Sequence, residues 1–108
     1  MEWKLQIQNE FDRAEQSRLR NNEGQARVCA RRAAGIAIRE YLTRRGRRIP
    51  SASAYDLLNI LKEDEHLPAE LKLVADHLTM RVSEEFKLPV AVDLIGEARL
   101  LCDWLLRN

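Results

Sequence analysis

Ten arginines fall within one stretch of this 108-residue chain: Arg18, Arg20, Arg27, Arg31, Arg32, Arg39, Arg44, Arg45, Arg47 and Arg48. Only Glu23 and Glu40 oppose them there, so the stretch carries a net +8 while the remainder carries −7. Arg44-Arg45-Gly46-Arg47-Arg48 is the densest group, and the planar guanidinium fork suits bidentate recognition of phosphate. Arg27 and Arg31, four apart, extend the group along one helical face, and Arg32 and Arg39, seven apart, mark another. The same guanidiniums suit pairing with carboxylates, and the 15 acidic residues outside the stretch are enough to supply partners within the chain or in a second copy.

The remaining chemistry-bearing side chains form no constellation. Serines 17, 51, 53 and 83 sit in no nucleophile elbow and have no base at a recognisable spacing. His66 adjoins Asp64 and Glu65 without a second histidine at ligand spacing, so the sequence sets out no metal site. His77, beside Asp76, reads as a solvated or hydrogen-bonded surface histidine. Trp3 and Trp104, near the two ends, read as core anchors before they read as stacking surfaces for bases. Cys29 and Cys102 have neither metal nor redox spacing and lie among apolar neighbours. Buried thiols of a reducing, cytoplasmic compartment are expected. No cofactor is implied.

The elements that must carry these residues are helices. Four glycines and three prolines leave little material for hairpins, and Leu, Ala, Arg and Glu favour helix. Trp3, Ile7, Phe11 and Ala14 define a first helix over 2–20. Asn22 and Gln25 form a start signal for a second over 23–45, ended by Gly46. Its small-residue seam, Ala26, Ala30, Ala33, Ala37 and Tyr41, and a second face of Val28, Gly35, Ile38 and Leu42 make it the central helix. Ser53 and Asp56 start a third, reaching Lys62 or Glu65. Pro68 sits in the first turn of a fourth, whose face is Leu71, Val74, Ala75, Leu78 and Val82. Pro89 opens a fifth with Ala91, Leu94, Ile95, Ala98, Leu101, Cys102 and Leu105. The expected fold is all-α: one domain over 1–108, an up-and-down antiparallel bundle of four to five helices. No run of 18 apolar residues and no apolar leader is seen, so neither a membrane span nor a signal peptide is expected.

The stretch Ala26-Arg27-Val28-Cys29-Ala30-Arg31-Arg32-Ala33-Ala34-Gly35, continuing into Ile36-Ala37-Ile38-Arg39-Glu40-Tyr41-Leu42, resembles the Ala- and Arg-rich central helix of HEPN-type proteins. The resemblance is specific over about 20 residues. It implies a helical bundle, commonly a homodimer, acting as an RNase, as the partner of a minimal nucleotidyltransferase-type protein, or as a module binding nucleotide or nucleic acid. RNase members carry arginine followed by histidine after four to six residues. Here Asn59, Ile60 and Leu61 precede His66 at those offsets, and Glu70, Leu71 and Lys72 precede His77. No catalytic residue therefore carries over, and the expectation is a non-catalytic HEPN-like binding module. Arg44, Arg45, Arg47 and Arg48 are its candidate phosphate contacts, with Arg27 and Arg31 as extensions. A homo-oligomeric structural protein is one alternative. A degenerate RNase using His77 and Lys72 is the other.

Overall fold

A computed structural model describes residues 2–49, 53–80 and 92–108. Five helices follow in order: α1 (Glu2–Leu19), α2 (Glu23–Arg44), α3 (Ala54–Leu61), α4 (Ala69–Thr79) and α5 (Leu94–Arg107). The described residues contain no strand, and the fold is an all-α helical bundle. None of these helices is long and apolar enough to cross a membrane.

α1 and α2 form a hairpin around a three-residue joint, Arg20-Asn21-Asn22. Asn21 takes the left-handed conformation (φ 61°) that asparagine tolerates better than most residues. The N–H of Asn22 donates to Ser17 O at 2.8 Å and that of Asn21 to Arg18 O at 3.0 Å, which satisfies the last carbonyls of α1. Asn22 then caps α2, its side chain accepting from Gln25 N at 3.1 Å. Gln25 does not return the bond. Its side-chain amide donates to Cys29 Sγ instead, so only half of the expected capping box forms.

α2 is the hub, packed against each of the other four helices. Ala26, Ala30, Ala33, Ala37 and Tyr41 are wholly buried, as the seam pattern requires, with Ile38 and Leu42 beside them; Val28 is only half-buried. Gly35 serves packing. A Cβ there would stand 2.8 Å from Ala54 Cβ and 3.1 Å from Ala54 Cα, so its absence lets the start of α3 lie directly on α2.

α3 begins where Ser53 accepts from Asp56 N at 3.3 Å, and buries Leu57, Leu58 and Leu61. It stops at Leu61, before the Glu63–His66 turn. Pro68 is the residue before α4 and not part of its first turn. α4 ends at Thr79, and Val82 lies outside the described residues. α5 starts at Leu94, where Asp93 accepts from Gly96 N at 3.1 Å. Pro89 and Ala91, expected to open it, lie outside the described residues. One core cluster draws on all five helices and includes both thiols. Burial pushes the Cys102 thiol up to about 12.

Candidate functional site: the arginine face of the central helix

The arginines of α2 divide by what they touch. Arg31 and Arg44 are committed to the fold. Arg31 Nε donates to Leu78 O at 2.8 Å, near the carboxyl end of α4, where carbonyls lack helical partners. Burial, and then the nearby Arg27 charge, hold Arg31 below the ordinary arginine value. Even so, a guanidinium stays charged and suits the negative end of a helix dipole. Arg44 does the same for α5, donating from Nη1 to Leu106 O at 3.0 Å. It also pairs with Glu40 at 3.1 Å and lies 5.5 Å from the centre of the Trp3 ring. Arg27 is half-buried, and its Nε has no hydrogen-bond partner among the described residues.

Arg18 is a third structural arginine. It reaches Glu23 at 2.7 Å and Asp93 at 2.9 Å, tying the end of α1 to the starts of α2 and α5. The Glu23 hydrogen bond raises its pKa most. The Gly96 N–H, followed by Arg18, holds the Asp93 carboxyl below the usual range.

Arg45, Arg47 and Arg48 behave differently. The carboxyl end of α2 is closed by its own backbone: Arg47 N donates to Leu42 O and Gly46 N to Thr43 O, both at 3.0 Å. This closure requires the left-handed conformation at Gly46 (φ 68°). With these carbonyls satisfied, the arginine side chains are not needed as caps. Arg45 lies over the Tyr41 ring, 4.2 Å from its centre. Tyr41 is itself fixed, its hydroxyl donating to Asp64 Oδ2 at 2.6 Å. Burial and that bond push the tyrosine up to about 12. Burial alone would raise Asp64, but the hydrogen bonds from Tyr41 and His66 N outweigh it and hold the carboxyl below the usual range. Arg47 and Arg48 are exposed, and their side chains have no hydrogen-bond or ion-pair partner among the described residues.

Of the ten arginines, only Arg18 and Arg44 have a carboxylate at ion-pair distance among the described residues. Among the described residues, intramolecular ion pairing, the competing expectation for the basic stretch, therefore accounts for few of them. Arg32 and Arg39 are exposed on the rim of a groove of about 460 Å³. Trp3, Gln6 and Glu10 of α1 form one wall, and Ala54 and Leu57 of α3 the other. Gly35, Ile36 and Glu40 of α2 complete the lining.

The tryptophans are half-buried against the core, and Trp104 stacks at a tilt on Tyr41, 5.6 Å between centres. His66 is exposed in its turn. His77 is more enclosed than a solvated residue, with 11% of its side chain exposed and Nδ1 2.6 Å from Glu97 Oε1 of α5. That pairing spans two helices and could not be read from local spacing. Among the described residues no three metal-ligating side chains converge. No protein-family model, curated protein or solved structure matches this chain.

Proposed function

We propose that this chain is a non-catalytic, HEPN-like helical binding module that engages phosphate groups of RNA or a nucleotide through the carboxyl end of α2. The observation that carries the reading is the set of arginines with no carboxylate at ion-pair distance among the described residues, above all Arg47 and Arg48 beside the Gly46 turn, with Arg45 next to them on the Tyr41 ring and in the field of Asp64. Arg45 is held on Tyr41, so ordering it on a phosphate costs little side-chain entropy. The role is electrostatic positioning; no base-reading residue is assigned. Arg31 and Arg44 hold α4 and α5 on α2 through Leu78 O and Leu106 O. The HEPN resemblance adds a homodimeric state and a nucleotidyltransferase-type protein as a further partner.

The test is a gel shift with labelled single-stranded RNA at low and moderate salt, comparing wild type with a variant carrying Arg45→Gln, Arg47→Gln and Arg48→Gln. Arg44 is left intact because α5 depends on it. Wild type should shift the RNA at low salt. The variant's log–log salt slope should be shallower by about 2, since each single-strand phosphate contact contributes about 0.7. No shift even at low salt refutes the phosphate reading. Cleavage of the RNA refutes the non-catalytic one.

A further inference from the structure

The α1–α2 hairpin carries a second basic concavity, far from the Gly46 turn. Arg13 and Arg20 of α1 and Arg32 of α2 line a pocket of about 360 Å³ between the second half of α1 and the first half of α2. All three are exposed, and the side chains of Arg20 and Arg32 have no hydrogen-bond or ion-pair partner among the described residues. Arg13 has Glu10, whose Oε1 stands 3.7 Å from its Nη1, beyond hydrogen-bonding reach. Asp12 is the only carboxylate in the lining, and it accepts from Gln8 Nε2 at 2.9 Å. Three guanidiniums against one carboxylate leave a net +2 in one concavity. Like charges gathered in this way repel one another. Unlike Arg18, Arg31 and Arg44, these arginines tie no element of the fold to another.

Gln25 supplies an independent observation. It stands three residues after the Asn22 cap, where a capping box would return its side chain to Asn22. It lies in the pocket wall instead, and its Nε2 donates to Cys29 Sγ at 3.6 Å. A thiol sulfur is a weak acceptor. The amide is spent on a poor partner beside three guanidiniums, and an anionic oxygen is a stronger acceptor for all four groups. The carboxyl end of α1 and the amino end of α2 meet here with dipoles of opposite sign, so the attraction for an anion comes from the arginines. Arg13 and Arg20 are seven residues apart on one face of α1, about 10 Å along its axis, and Arg32 adds a third guanidinium from α2. That spread suits an anion with two or more linked phosphate groups better than a single phosphate.

We infer that this pocket is a binding site for a small polyphosphate, held by Arg13, Arg20 and Arg32 with Gln25 as a neutral donor. The inference goes beyond the proposed function. Cys29, in the pocket wall, is about 25 Å along α2 from the Gly46 turn, and none of Arg45, Arg47 and Arg48 takes part, so the two fail separately.

The test is an NMR titration of the full chain with inorganic tripolyphosphate at low salt, followed at the Gln25 side-chain amide. Wild type should saturate with a Kd below about 1 mM. Arg13→Gln, Arg20→Gln and Arg32→Gln should each weaken binding about tenfold, with helical circular dichroism unchanged. Arg39→Gln removes an equally exposed arginine from the same helix but from outside the pocket, and should change the Kd less than about twofold. The Arg45/Arg47/Arg48→Gln variant should bind tripolyphosphate as wild type does, whatever its RNA shift. A parallel titration with a short RNA lacking terminal phosphates separates the sources of the ligand. A Gln25 response to tripolyphosphate alone means a free polyphosphate, and a response to both means that the pocket also takes strand phosphates. No saturable Gln25 response to tripolyphosphate overturns the inference. So does an Arg39→Gln variant that weakens binding as much as Arg32→Gln, because the arginines would then act only through general surface charge.

Discussion

Replacing Gly35 by alanine adds one methyl group to the middle of a helix. In an open helical position that change stabilises by about 1 kcal/mol, because glycine pays the larger backbone entropy. At Gly35 the new Cβ would stand 2.8 Å from Ala54 Cβ and 3.1 Å from Ala54 Cα, whereas carbon atoms rest about 3.5–4.0 Å apart. Neither neighbour is the flexible end of a side chain. Relief requires moving the start of α3, and Leu57, Leu58 and Leu61 hold α3 in the core. Overpacking of this kind costs about 1–3 kcal/mol. Set against the propensity gain of about 1 kcal/mol, the expected net effect runs from about zero to a loss of about 2 kcal/mol, or a melting point lower by up to about 8 °C for a chain of this size. The assay is urea denaturation followed at 222 nm, with Gly24→Ala as the control. Gly24 lies in the first turn of α2, where an added Cβ meets only Asn22 Oδ1 at 3.8 Å, so that variant should gain a few tenths to about 1 kcal/mol. Adding Ala54→Gly should recover part of the Gly35→Ala loss. A Gly35→Ala protein as stable as Gly24→Ala would refute the close approach of α3 to α2.

Three further outcomes are expected. Arg31→Met keeps much of the side chain's bulk but leaves Leu78 O without its donor, and should lower unfolding free energy by about 1.5–3 kcal/mol in the same urea titration. Asp64 is held below its unfolded value, so its contribution is present above about pH 4 and is lost as pH falls through the lower folded value; an acid titration of stability should therefore be less steep in Tyr41→Phe than in wild type. Cys102, buried and with its thiol raised to about 12, should resist alkylation by iodoacetamide at pH 8 in the folded protein and react readily in 6 M guanidinium chloride.

The helices were legible in the sequence because their signals are local. Asn22, Ser53 and Gly46 announce helix ends through one to three neighbouring residues, and the Ala26–Tyr41 seam repeats at helical intervals. Asp93 as the cap of α5 was missed, although an aspartate three residues before Gly96 is the kind of signal that could have shown it. The site was less legible. Arginines identical in type take opposite roles according to distant groups: Arg31 meets a carbonyl 47 residues away and Arg44 one 62 residues away. No spacing rule on α2 separates them from Arg32 or Arg39. His77 likewise became an enclosed partner of Glu97 only through the packing of α4 on α5.

The three-residue joint at Arg20-Asn21-Asn22 has a kinetic consequence. The α1–α2 hairpin closes over almost no intervening chain, so its contacts carry a small loop-closure cost. α5 must instead return to α2 and to the end of α1 across separations such as the 75 residues between Arg18 and Asp93. Low-contact-order pieces form first, which makes the hairpin the folding nucleus and the docking of α5 a late step. In that order, substitutions at the Asn21–Asn22 joint slow folding, whereas loss of the Arg18–Asp93 or Arg44–Leu106 contact mainly speeds unfolding.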